Sequence, residues 1–95
     1  MVRTILTVSG RVQTVGFRDA VRRVAKRHPV TGTVRNLADG ERLEIDAEGD
    51  AAVVEAFIAD VLAHPPRYAR VERIDRASAP PRGLTAFTQA PTAVA

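Results

Sequence analysis

The amino-acid sequence predicts an α+β sandwich, with two helices packed on one face of an antiparallel sheet and an additional short C-terminal strand. Three observations predict it. Apolar and polar residues alternate at period two from Val2 to Ser9 and again on both sides of an Asp-Gly turn. Apolar residues recur at helical spacing in two separate stretches, and glycine or proline marks the joins between these runs.

The first strand, Val2 to Ser9, sets Thr4, Leu6 and Val8 on one face and Arg3, Ile5 and Thr7 on the other. A glycine-bounded loop follows and leads into a helix from about Phe17 to Arg27. Phe17, Ala20, Val21, Val24 and Ala25 form its apolar stripe, with Asp19 and the basic residues opposite. Pro29 stops this helix, because proline biases the preceding residue away from αR and lacks a backbone donor. Val30 to Leu37 and Glu41 to Glu48 are extended segments around Ala38-Asp39-Gly40, whose Asp-Gly pair suits a tight hairpin. In the second of them Leu43, Ile45 and Ala47 are expected to be buried, and Glu44, Asp46 and Glu48 to face water.

Asp50 is the expected N-cap of a second helix, whose stripe is Val53, Val54, Phe57, Ile58, Val61 and Leu62 and whose end is His64-Pro65-Pro66. The alternation of the next strand, Tyr68 to Ala77, breaks between Val71 and Ile74, which predicts a bulge or an edge position. After Pro80-Pro81-Arg82-Gly83 comes the short last strand, about Leu84 to Gln89. The order β-α-β-β-α-β is that of the ferredoxin-like split βαβ arrangement, which hosts many unrelated activities and so leaves function to the site.

The 95 residues make one domain, expected to span 1–89 with a flexible tail at 90–95. Such a chain is too small to enclose a dinucleotide, and with no cysteine it holds neither disulfides nor a thiol nucleophile. No His, Asp or Glu pair has ligand spacing that calls for a metal, so no cofactor is expected. His28 and His64, beside prolines at helix ends, read as capping or solvent residues. The N-terminus lacks the apolar core of a signal peptide and no run approaches a membrane span, so a cytoplasmic protein without a membrane partner is expected. The net charge is +3, and every basic residue except Lys26 is arginine, which favours small acidic ligands. Arg22, Arg23, Lys26 and Arg27 fall together on the first helix, but three Phe and one Tyr form no base-stacking cluster, so a solvated helix face is favoured over a nucleic-acid site.

The loop Gly10-Arg11-Val12-Gln13-Thr14-Val15-Gly16, followed by Phe17-Arg18, reads as an anion cradle. Backbone N–H groups at a helix start lack intrahelical partners and have the positive end of the helix dipole behind them. Arg18 in the first turn opposes that dipole at a cost of about 0.3–1 kcal/mol, which a bound anion would offset.

This loop resembles the first signature of the acylphosphatases at Gly10, Val12, Gln13, Val15, Phe17 and Arg18. Gly32, Val34, Arg35, Asn36, Gly40 and Gly49 resemble the second. The likeness runs from about Val2 to about Gln89. It implies metal-independent hydrolysis of carboxyl-phosphate anhydrides to a carboxylate and inorganic phosphate. In that picture the backbone of Arg11, Val12, Gln13, Thr14 and Val15 wraps the phosphate, Arg18 binds two of its oxygens, and Asn36 holds the attacking water. Thr14 stands where the family has a loop glycine. If that position needs positive φ, a β-branched residue is strained there by about 1–3 kcal/mol, and the alternative reading is a catalytically weak phosphate-binding or regulatory module. Thr33 in place of an aromatic and His28-Pro29 in place of an apolar-glycine pair read as structural departures. No obligate interface is evident, and a bulge near Glu72-Arg73 would protect a strand edge, so a monomer is expected.

Overall fold

A computed structural model describes residues 1–93. It contains, in order, β1 (Val2–Arg11), α1 (Phe17–Ala25), β2 (Thr31–Asn36), β3 (Arg42–Gly49), α2 (Ala51–Ala63), β4 (Arg70–Ala79) and β5 (Phe87–Gln89). The strands form one sheet in the order β4-β1-β3-β2-β5. Four of them are antiparallel to their neighbours, as expected, but β5 runs parallel to β2, from Gly32↔Phe87 to Val34↔Gln89, so the sheet is mixed. The reason is the connection. β4 and β5 occupy opposite edges, and the chain between them crosses the sheet at the end where β1 and β2 begin, so β5 must start from that end too.

One face of the sheet carries the core. Leu6, Val8, Val34, Leu43 and Ile45 meet Phe17, Val21 and Val24 of α1 and Val54, Phe57 and Val61 of α2. Full burial of such a side chain stabilises the fold by about 1.5–3 kcal/mol. The ring of Phe57 meets His28 edge-on at 5.9 Å and Phe87 at 5.4 Å, tying the end of α1 and β5 to α2. α1 ends at Ala25, before the expected boundary at Arg27, because Arg27 and His28 N–H donate to Val24 and Ala25 O in a tightened last turn. His64 is the exposed C-cap of α2, as expected, whereas His28 is largely buried. Both approach the Asp60 carboxylate, at 2.8 and 2.9 Å, and Arg27 pairs with it too, which holds that carboxyl below its ordinary pKa.

The other face departs most from the sequence reading. Asp46 and Glu48, expected in water, are 4% and 2% exposed. The strap Pro80–Ala86 crosses over them. Arg3 donates to both oxygens of Asp46, at 2.9 and 2.8 Å, and Arg82 approaches the same carboxylate at 3.2 Å. Glu48 accepts from Arg82 and Gly83 N–H at 3.1 and 2.8 Å, and Arg3 Nη1 donates to Pro80 O. The strap uses the residues expected to start the last strand, so β5 is shorter than the Leu84–Gln89 segment the sequence suggested. Beyond it, Ala90 and Ala93 N–H donate to Val34 and Asn36 O, along the stretch expected to be a tail; Val94 and Ala95 lie outside the described residues.

The expected irregularity in β4 is a bulge. Arg73 pairs with Ser9 and Val71 with Gly10, so Glu72 is the extra residue. Gly10 is required opposite it, because a Cβ there would sit 2.1 Å from Arg70 O. Among the described residues no helix is long and apolar enough to cross a membrane.

Candidate active site

The loop between β1 and α1 is shaped by what it buries. Val12 and Phe17 are buried and Val15 packs against the core, so these apolar anchors hold the loop down while its backbone stays near the surface. Arg11 is the last residue of β1, paired with Arg70, so the loop proper begins at Val12. Among the described residues, the N–H groups of Val12, Gln13, Thr14, Val15 and Gly16 donate to no backbone or side-chain acceptor. Gly16, at φ 80°, is the N-cap of α1 and offers no side chain to the first turn, whose donors therefore add to the same row.

Thr14 does adopt positive φ, 59°, the one non-glycine residue among those described to do so. The loop thus places a β-branched residue in the left-handed region that glycine favours. Gln13 contributes more than backbone. Its Nε2 donates to Leu37 O at 2.7 Å and Arg42 O at 2.8 Å, bridging the loop to the hairpin that carries Asn36. The hairpin itself is closed by Asp39, which accepts from Glu41 and Arg42 N–H, so its carboxyl sits below the ordinary range.

Asn36 ends the core-facing row Gly32, Val34, Asn36 of β2 and is buried. Its Oδ1 is buried and has no hydrogen-bond partner among the described residues. A buried acceptor without a partner costs about 1–3 kcal/mol, so a polar atom in that state marks a place where a ligand or water is received. Arg18, from the first turn of α1, forms no ion pair among the described residues. Both residues line one pocket of ≈ 240 Å³ together with Val12, Thr14, Gly16, Phe17, Asp19 and Gln89.

That pocket unites Arg18, Asn36, Val12 and Thr14 of the expected site. Gln13 faces the hairpin instead, Val15 leans on the core, and Arg11 lies outside. Gln89 was not foreseen, because its place beside Asn36 follows from the parallel pairing of β5, which no local pattern announces. Asn36 was singled out by its place in the second signature of the family resemblance. A larger hollow of ≈ 560 Å³ lies against the same loop, lined by Arg11, Arg42 and Arg73 but also by Asp39, Glu41 and Glu72. Arg42 and Arg73 are already paired to Asp39 and Asp75, so this hollow offers an anion much less than the smaller pocket does.

Known proteins share this fold. A family model described as Acylphosphatase matches residues 4–88. An acylphosphatase of Thermococcus kodakarensis is 45% identical over 86 residues, 90% of this chain and 92% of its own. The crystal structure of the acylphosphatase from Bacillus subtilis superposes with a TM-score of 0.87 at 32% identity, covering 95% of this chain and 99% of that one. The T. kodakarensis HypF structure superposes at 0.83 with 38% identity, covering 95% of this chain but 12% of its own, so there the same fold is a small part of a long chain.

Proposed function

Because this chain belongs to the acylphosphatase family, and its activity is hydrolysis of acyl phosphates, we propose that the Val12–Val15 backbone and Arg18 hold the transferred phosphoryl group while Asn36 holds the attacking water. The observation that carries this assignment is the convergence, on one small pocket, of N–H donors without partners, an unpaired guanidinium and the unpartnered Oδ1 of Asn36.

The water oxygen attacks phosphorus as the bond from phosphorus to the acyl oxygen breaks. The electron pair of that bond leaves on the carboxylate, and the water's proton passes to a phosphoryl oxygen of the substrate. Carboxylate and inorganic phosphate result. A carboxylate is a good leaving group, so no strong base is required of the protein, and catalysis is positioning and charge stabilisation. Arg18, with its planar fork, bridges two phosphoryl oxygens. Asn36 Oδ1 accepts from the water and aims its lone pair in line.

The test is phosphate release from benzoyl phosphate in excess EDTA. Arg18→Ala is expected to lose turnover by about 10³-fold and to weaken inhibition by inorganic phosphate, since it removes the main charge on the phosphoryl group. Asn36→Ala is expected to lose about 10²–10³-fold in kcat while phosphate still inhibits near its original concentration. Wild-type turnover in either variant would overturn the role given to that residue.

A further inference from the structure

The basic residues of α1 and its cap divide into two rows. Arg18, Arg22 and Lys26 follow one another at helical spacing on one flank, and Arg23 and Arg27 do so on the other. The second row lies against α2, where Arg27 pairs with Asp60 and the hollow beside Arg23 contains that same carboxylate. The first row is free of such partners. Arg18 and Lys26 form no ion pair among the described residues, and Arg22 approaches Asp19 only at 4.0 Å, with both side chains in water.

The free row borders β5. The pocket that unites Arg18 and Asn36 takes Gln89 from that strand. A second hollow, of ≈ 300 Å³, takes Phe87 from it and Arg22, Ala25 and Lys26 from the helix. Phe87 and Gln89 are two residues apart on one face of β5, so the two hollows lie in line along the seam between α1 and β5. Measured along the helix from Arg18, Arg22 is about 6 Å away and Lys26 about 12 Å away.

We propose that this seam receives the acyl part of the substrate, and that Arg22 and Lys26 select acyl phosphates carrying a second acidic group about 6–10 Å from phosphorus. The inference rests on the phosphate site proposed above. There Arg18 is committed to the phosphoryl oxygens, so a second anion needs a cation of its own, and Arg22 is the next in the row. Between the two charges, the ring of Phe87 gives the hydrocarbon of the acyl group an apolar floor. His28 also borders the second hollow, but its Nε2 is turned to Asp60, which leaves Arg22 and Lys26 as the charges offered to a ligand. Asp19 is the one carboxylate lining either hollow, and it is exposed, where water screens its repulsion. A neutral acyl group gains the floor alone, and a cationic one is repelled.

Binding of two stable analogues tests the seam without turnover. Phenacylphosphonate has a methylene in place of the bridging oxygen of benzoyl phosphate, and its para-carboxy derivative sets a carboxylate within the span given above. NMR titration yields both Kd values, and the spectrum shows that each variant is folded. Wild type is expected to bind the para-carboxy compound about threefold to tenfold more tightly than the parent, as two exposed cations allow. Arg22→Gln is expected to reduce that preference to about twofold or less, and Lys26→Gln to reduce it by a smaller factor. Arg23→Gln removes the same charge from the other row and is expected to keep the wild-type preference. Equal affinities in wild type, a preference that survives Arg22→Gln, or an equal fall in Arg23→Gln would each overturn the proposal and leave the phosphate site standing. An Arg18→Ala variant that binds both compounds as wild type does, or a wild type that binds neither, would overturn the phosphate site and this proposal with it.

Discussion

At the end of the sheet where β1 begins, the charged groups under the strap answer one another. Arg3 meets Asp46 and Pro80 O, Arg82 meets Asp46, and Glu48 is capped by two strap N–H groups. At the other end, where β1 runs into the loop, Arg18 has no paired carboxylate, Asn36 Oδ1 has no donor, and the N–H row from Val12 to Gly16 has no acceptor among the described residues. The same sheet thus carries one region where polar groups satisfy each other and one where they wait for a ligand. The first holds a strap in place; the second is where we propose that the phosphate is held. A protein of this size has little stability to spare, so such unmet groups are concentrated where they act.

This contrast is broken most severely by exchanging the consequences. Removing Arg18 or Asn36 should abolish turnover by the factors given above while leaving the melting temperature unchanged or slightly higher, because no folded-state partner is lost. Removing Arg3 should do the reverse. Arg3→Ala leaves the buried Asp46 carboxylate with Arg82 alone and is expected to cost about 2 kcal/mol, between the values for exposed and buried pairs, with kcat unchanged at 25 °C. Urea unfolding of the variant beside its phosphate release measures both. A large fall in kcat without a fall in stability would mean that the two ends are not separable.

Acid sharpens the comparison further. The N–H groups of Gly83 and Arg82 hold the Glu48 carboxyl below its ordinary pKa. The stability it contributes is therefore complete above the unfolded-state value and is lost as pH falls through the lowered folded-state value. Wild type should melt progressively lower as pH drops below about 5, and Glu48→Gln, less stable at neutral pH, should show a shallower slope there. Parallel slopes would show that Glu48 is not what ties the strap down in acid. The smallest effect is at Thr14. Thr14→Gly relieves a φ of 59° but adds unfolded-state freedom, so stability should shift by less than about 1 kcal/mol while turnover rises a few-fold. An unchanged rate and phosphate affinity would show that the strained residue does not limit the loop.

Legibility in the sequence followed the range of the forces involved. Elements set by local periodicity came out where expected: β1, both helices, the Asp39-Gly40 hairpin and the bulge opposite Gly10. Arg18 was singled out by its place at a helix start and in the first signature of the family resemblance, and Asn36 by its place in the second. What the sequence concealed was set by contacts between distant segments. Asp46 and Glu48 have the alternation of a wet face and are buried only because a strap from more than thirty residues later lies across them. Gln89 reaches the pocket only because that strap delivers β5 to the far edge. His28 and Asp60 looked unrelated until α1 and α2 packed side by side.

The position of β1 also governs how the fold is reached. It is the first strand of the chain and lies inside the sheet, between β3 and β4. Its partner Ala79 is separated from Arg3 by most of the chain, so the pairing closes a long loop before any contact rewards it. Folding built on such separations belongs to the slower, millisecond-to-second class. Until β4 docks, the odd-numbered backbone groups of β1 form a bare template beside Ile5 and Thr7, open to any extended chain nearby. The folding chain is most vulnerable to association along β1, an edge that the finished molecule no longer has.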